Sequence, residues 1–266
     1  MLGSGYDIFS HKFVLFASYG NDSIALINLC GKYLRGEDVT VVYSDTGWAA
    51  PWWMRERVEV GERFAQSLGF KTARTGSIGL EQLVRDRKGW PRQGMQFCTH
   101  ELKIKPAMKW LEQNDPFRRA ICLNGVRRVE SQKRANYPEF TVESPNHGGR
   151  SLWSPMIDFS DDDRDYEILE AGFEVLPHRS MECFPCVNAN RQDLRMLAGN
   201  PDRIIHVERV EKELGHTKKG KPRVMFRPYQ KMGATGIREV VRWALSDRGK
   251  YEAPVEDNCD SGWCGA

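Results

Sequence analysis

The apolar run Phe13–Ala17 breaks at a polar hexapeptide, Ser18-Tyr19-Gly20-Asn21-Asp22-Ser23, and apolar residues then resume at a different spacing. A short, continuous apolar run has the signature of a strand buried on both faces. Ile24, Leu26, Ile27, Leu29 and Leu34 follow at mixed helical spacing, with Gly36 as a stop. This strand, turn and helix constrain the fold more than any other stretch, because a strand buried on both faces needs layers of helix above and below it.

The pattern recurs. "VTVVYSDTG" is a second β-branched run, and "RERVEVGERFAQSLGF" follows as a charged amphipathic helix ending at Gly69. A third pair is predicted from "HELKIKPAMKWLEQN" as helix and Ala120–Leu123 as strand. Such alternation predicts an α/β, Rossmann-like, doubly wound parallel sheet, with ligands outside the C-terminal strand ends.

Beyond Gly148 the regularity weakens. "SLWSPMIDFSDDDRDYEILEAG" reads as a loop and then a helix capped by Ser160, with acids in its first turn. "CVNANRQDLRMLAGNP" holds another helix, "GHTKKGKPR" is a basic loop, and the tail "YEAPVEDNCDSGWCGA" has no periodicity. Two regions are expected: residues 1–180 as the domain of alternating strands and helices, and residues 181–266 as a C-terminal extension carrying a CxxC pair and a cysteine tail.

Composition narrows the function classes. With 40% hydrophobic and 28% charged residues in 266, and no run of eighteen apolar residues, the expectation is a soluble globular protein without a membrane span. The first residues lack a basic segment leading into a long apolar stretch, so no secretory signal is read and a cytoplasmic location is expected. Seven cysteines in a reducing compartment point to metal binding or thiol chemistry before structural disulfides. A net charge of +3 is too small to argue for a nucleic-acid partner, although Arg and Lys concentrate at Arg118–Arg134 and Lys218–Arg227.

A turn between a parallel strand and a helix presents unpaired backbone N–H groups and a partial positive charge, which suit an anion. Gly20 lets backbone approach a ligand closely, and the hydroxyls of Ser18 and Ser23 are donors for phosphate oxygens. An ordinary helix cap at Asp22 or Ser23 accounts for the same residues. The stretch has neither the Gly-Lys-Ser/Thr of the triphosphate P-loop nor the dinucleotide GxGxxG.

Cysteines form a second constellation. Cys183-x-x-Cys186 puts two thiolates within reach of one metal, Cys259 and Cys264 offer two more, and Cys98 is a fifth candidate. Thiolates suit zinc or iron–sulfur, and spacing does not separate the two or exclude plain reduced thiols. Cys30 and Cys122 lie in apolar runs and read as core residues. His100 and His178 stand near cysteines as metal ligands, proton shuttles or surface histidines. Trp48, Trp52 and Trp53 supply either a stacking surface for a base or core packing.

Together these stretches resemble one family. "SYGNDS" resembles the Ser-Gly-Gly-x-Asp-Ser signature of the PP-loop (adenine nucleotide alpha-hydrolase-like) superfamily, so the fold is expected to be of PP-loop type. "VVYSDTGWAAPWWMRER", "FCTHELKIKP", "GVRRVESQKRA", "WSPMIDFSDDD" and "CFPC" then resemble, in order, motifs of the phosphoadenosine phosphosulfate (PAPS) reductase-like branch. The resemblance covers about residues 12 to 190. Tyr19 stands where the family usually has its first glycine, Asn21 where some ATP-using members carry Lys, and Phe97-Cys98 where cluster-containing reductases have adjacent cysteines. "CTHELKIKP" is closer to members that insert sulfur into DNA.

The resemblance implies nucleotide contacts at Ser18, Tyr19, Gly20, Asn21, Asp22, Ser23, Asp45, Thr46, Gly125, Arg127 and Arg134. Lys103, Arg127, Arg128 and Arg134 would neutralise phosphate or sulfate, with Glu130 holding an arginine; a solvated charged face is the alternative for each. It further implies a [4Fe–4S] cluster held by Cys98, Cys183, Cys186 and one tail cysteine, zinc being the alternative. The other of Cys259 and Cys264 is then left as nucleophile, with Arg127 and Lys103 assisting catalysis.

Three functions follow as expectations. The first is a sulfonucleotide reductase that binds PAPS or APS and is served by a thioredoxin-like reductant. The second is an ATP- and Mg²⁺-dependent sulfur transferase that releases pyrophosphate, works with a sulfur-donating desulfurase and modifies a nucleic acid, its basic Lys218–Arg223 loop tracking the backbone. The third is a non-catalytic nucleotide-binding module. The sequence leaves the oligomeric state open, a dimer being one possibility.

Overall fold

The computed structural model describes residues 11–92, 94–226 and 233–247. Strands β1 (Phe13–Phe16), β2 (Val39–Ser44), β3 (Lys71–Thr75), β4 (Ile121–Leu123), β5 (Phe140–Ser144) and β6 (Arg150–Trp153) form one sheet in the order β3-β2-β1-β4-β6-β5. All pairings are parallel except that of β5 with β6. The predicted α/β doubly wound sheet is therefore what the chain adopts. The chain runs outward from β1 through β2 to β3 and then crosses back to β4 on the other side of β1. That reversal opens a crevice between the loops that follow β1 and β4.

Three strands correct the sequence reading, and one of them, β5, buries Ser144 alone and so carries no apolar run. "SLW", read as loop, is β6 and pairs with β4; it is only four residues long, too short to show a period. β3, "KTART", was not anticipated because it pairs only with β2 and buries Thr75 alone, so the hydrophobic signal of an inner strand is absent.

Five of the helices sit where the sequence placed them, those over Asn21–Tyr33, Glu59–Ser67, Lys105–Asn114, Asp161–Glu170 and Arg191–Ala198; the others were not read from the sequence. In chain order the helices are α1 (Asn21–Tyr33), α2 (Pro51–Trp53), α3 (Glu59–Ser67), α4 (Leu80–Asp86), α5 (Phe97–Thr99), α6 (Lys105–Asn114), α7 (Asp161–Glu170), α8 (Arg191–Ala198), α9 (Pro201–Leu214) and α10 (Ile237–Leu245). A π-helical turn joins α2 to α3 over Met54–Val58, and a second joins α5 to α6 over His100–Ile104. Ser160 caps α7 as expected: its hydroxyl accepts from Asp163 N–H, and Asp163 answers through the Ser160 N–H. The basic stretch after α9 closes as a small turn, with His216 bridged to Pro222. Among the described residues no helix is long and apolar enough to cross a membrane.

Two apolar layers cover the sheet. α1 supplies Ile24, Leu26 and Ile27 to the larger, alongside Leu15, Val41 and Leu123, while α6 packs Ala107 and Leu111 against Val14, Phe16 and Val42 on the other. Cys30 and Cys122 belong to these layers, as expected, and burial pushes both thiols up to about 12.

His147, after β5, is buried at 3% exposure, with Nδ1 2.9 Å from Ser144 Oγ. Burial, aided by the Arg150 charge, lowers it from 6.5 to about 4. The folded chain thus holds this ring neutral where the unfolded chain would protonate it, so stability is complete above 6.5 and falls as pH drops toward 4. The expected loss is on the order of 3 kcal/mol, at ~1.4 kcal/mol per pH unit. Urea unfolding at pH 7 and pH 4.5 should show it, and His147→Asn should flatten that slope; an unchanged slope would refute the assignment.

Candidate functional site

The turn after β1 is held from inside. Ser18 N–H donates to Ser23 Oγ at 3.0 Å, Gly20 N–H to Ser18 Oγ at 3.3 Å, and the two hydroxyls lie 3.3 Å apart. Both side chains expected to face phosphate thus also bond to the turn itself. The helix cap is Gly20, with no side-chain hydrogen bond, instead of Asp22 or Ser23; those residues lie within the first turn of α1. An uncapped start leaves first-turn N–H groups for another acceptor.

Tyr19 sits at φ +59°, in the left-handed region that glycine favours. The turn therefore keeps the conformation a glycine would take. Its side chain is fully buried, its ring 6.0 Å from that of Tyr43, and Gly61 of α3 leaves the room: a Cβ there would overlap the Tyr19 ring. Burial pushes the Tyr19 hydroxyl up. Below the turn, Trp53 Nε1 donates to Ser18 O at 3.2 Å and Arg57 Nε to Tyr19 O at 3.3 Å. Trp48 and Trp53 are buried in the core, and Trp52 meets His178 edge-on with ring centres 5.9 Å apart.

The loop after β4 closes the other side of the crevice. Arg127, 2% exposed, donates through Nε to Asp22 Oδ1 at 2.9 Å and pairs with Asp161 at 3.0 Å. Burial raises Asp22, and the Arg127 charge pulls it back. Glu130 accepts the Arg127 N–H at 2.8 Å and pairs with Arg134, as expected of it. Gly125 lies against the backbone of Asp22, where a Cβ would stand 3.2 Å from its carbonyl. Arg127, Arg134 and Gly125 thus brace the crevice from behind, and Arg128 is turned to Asp158 and the Tyr137 carbonyl.

A cavity of about 390 Å³ opens in front, within the ~300–1,000 Å³ usual for small-molecule sites. Its lining combines Ser18, Gly20, Asn21 and Asp22 of the turn with Cys98, Cys183 and Cys186, and with Lys103 and Thr46. Thr46 Oγ1 donates to Glu182 O at 2.7 Å and lies 3.5 Å from Cys183 Sγ, so it anchors the cysteine segment to the end of β2. Asp45 Oδ1 accepts the Gly47 N–H at 2.8 Å, shaping the loop outside the cavity. Lys103 is buried and ion-paired with Glu182; although burial lowers it, Glu182 and the neighbouring sulfurs leave it raised. Burial also raises the three thiols, Cys98 to about 11, with Lys103 pulling against it. His100 is exposed and outside the cavity lining.

Sequence reasoning named His178 but missed the rest of the segment Leu176–Ser180, all of which lines the cavity, and the acids Glu182 and Asp193. Their only sequence signal is proximity to "CFPC". The donor chemistry of the three thiols fits zinc or iron–sulfur. Among the described residues, however, no group of three or more His, Cys, Asp or Glu is placed to hold a metal ion, and Cys259 and Cys264 lie outside the described residues.

A mostly parallel α/β sheet with an uncapped strand–turn–helix at its switch point, opening into a thiol-lined cavity, has the architecture of the PP-loop class. Within that class, the chain belongs to the phosphoadenosine phosphosulfate reductase domain family, whose model matches residues 12–199. It is 31% identical over 151 residues to sulfate adenylyltransferase subunit 2 of Rhizobium meliloti (strain 1021), covering 56% of this chain and 45% of that protein. It is 25% identical over 168 residues to phosphoadenosine 5'-phosphosulfate reductase of Vibrio atlanticus (strain LGP32), covering 62% of this chain and 61% of that protein. The chain thus spans about half the length of the curated relatives it matches. The crystal structure of a PAPS reductase from Candida auris superposes with a TM-score of 0.43 and 15% identity, over 61% of this chain and 73% of that one.

Proposed function

We propose that the chain is a sulfur-metabolism enzyme that binds an adenine nucleotide, PAPS or APS, at the Ser18–Ser23 turn and reduces or transfers its sulfur with cysteine chemistry. One observation carries this reading: a single cavity joins the turn to Cys98, Cys183 and Cys186. In the reductase form, a thiolate attacks the sulfate sulfur and the sulfur–oxygen bond to the phosphate breaks, forming an S-sulfocysteine and releasing the nucleotide phosphate. A thiol of a thioredoxin-like reductant then attacks the cysteine sulfur, sulfite leaves, and a disulfide forms. Cys259 or Cys264 is assigned the attack from the family resemblance. A [4Fe–4S] cluster, or zinc, would be held by Cys98, Cys183, Cys186 and the other tail cysteine.

Asn21 favours PAPS over ATP, since it supplies no charge for a triphosphate where some ATP-using relatives carry Lys. The test is equilibrium binding of PAPS and of ATP with Mg²⁺ to anaerobically purified protein, with iron, zinc and acid-labile sulfide measured on the same preparation. PAPS is expected to bind at least about tenfold more tightly, a difference of ~1.4 kcal/mol. Preference for ATP would move the assignment to an adenylating sulfur transferase acting on a nucleic acid, and binding of neither would leave a non-catalytic module.

A further inference from the structure

Asn21 is the first residue of α1 and lines the cavity, and both ends of its carboxamide are engaged by one residue far along the chain. Its Nδ2 donates to Leu176 O at 2.9 Å, and its Oδ1 accepts the Leu176 N–H at 3.0 Å. A carboxamide satisfies both backbone groups of one residue in this way; lysine offers no acceptor and aspartate no donor. The pair is partly buried and links positions 155 residues apart. What it fixes is the segment Leu176–Ser180, which runs across the mouth of the turn: a Cβ on Gly20 would stand 3.1 Å from Ser180 Cβ.

That strap carries Arg179 into the cavity, where it faces Asp193 with Nε 3.4 Å from Oδ2 and 27% of the side chain exposed. Of the cations lining the cavity, Lys103 is nearly closed off by Glu182, and Arg164 is shared between Asp161 and Asp165. Arg179, with the longest of these ion-pair distances, is the cation best placed to exchange its carboxylate for an arriving anion.

We infer that Asn21 is a positioning residue: through Leu176 it holds the strap so that Arg179 meets the anionic group of the bound nucleotide beside the turn. The inference rests on the nucleotide reading above. It gives Asn21 a role unlike that of a lysine at the same place, which would touch the phosphates itself.

A double-mutant cycle on PAPS binding tests it. Asn21→Ala and Arg179→Gln should each weaken PAPS by about tenfold, and the double variant should lose no more than about threefold beyond either single, because both remove one effect. Hydrogen exchange gives a readout that needs no ligand: the Leu176 amide should lose protection in N21A while α1 amides keep theirs. If N21A does not fold, Asn21→Asp carries the test, since it keeps the acceptor for Leu176 N–H and should exchange slowly there. Losses that multiply in the double variant, or wild-type affinity in N21A, overturn the inference alone. Failure of the parent chain to bind PAPS or ATP overturns the functional reading, and this inference with it.

Discussion

Replacing Arg127 by alanine is expected to lower stability by ~3–5 kcal/mol, the usual cost of leaving one partner of a buried ion pair behind. Asp22 is the partner left: it lies in the first turn of α1 with its side chain 15% exposed, and Arg127 Nε is 2.9 Å from its carboxylate. Its folded pKa is already raised by burial against the pull of Arg127, so removing that pull raises it further. For a carboxyl raised above its unfolded value, the stability is present below the unfolded pKa and is lost as pH rises through the folded one. The deficit of R127A should therefore be largest near neutral pH and shrink as pH falls toward 4. Adding Asp22→Asn should recover most of it. Denaturant unfolding of the parent chain and the two variants at pH 7 and pH 5 decides the matter, and a deficit that does not change with pH would refute the pairing argument.

The second large effect is expected at Tyr19 and Gly61. Gly61→Ala should cost ~1–3 kcal/mol, because its methyl would overlap a fully buried ring. Tyr19→Gly should cost ~2–4 kcal/mol: the lost ring leaves a cavity, and relief of the left-handed backbone offsets part of the loss. In the double variant the alanine should be nearly neutral, since its obstacle is gone. Additive losses in thermal or urea unfolding would show that the two positions do not share this space.

The same pair explains how much of the site was legible beforehand. The hexapeptide announced a turn with close backbone approach, and the order of motifs announced the family. That Tyr19 accepts a glycine's conformation was not readable, because the permission comes from Gly61, forty-two positions away in sequence and in another helix. The basic residues show the limit from the other side. Arg127 and Lys103 were found by their motifs, but their carboxylate partners, Asp22, Asp161 and Glu182, are distant in sequence and become neighbours only when α1, α7 and the cysteine segment meet. The edge strands escaped for a different reason: β3 and β5 bury little, and half-exposed strands leave a faint pattern. The strap at Leu176–Ser180 had no pattern at all, since the side chains that hold it, Asn21 at Leu176 and Gln192 at Pro177, come from other parts of the chain.

The grip of Trp53 and Arg57 on the carbonyls of Ser18 and Tyr19 bears on how a ligand would arrive. A flexible phosphate loop must be ordered at each binding event, and that entropy subtracts from affinity. Here the loop is immobilised by packing that exists without any ligand, so the ordering cost falls on folding and is met once. A ligand held at this turn would accordingly meet a preorganised loop, with affinity set by charge and desolvation in the cavity more than by the restriction of the loop.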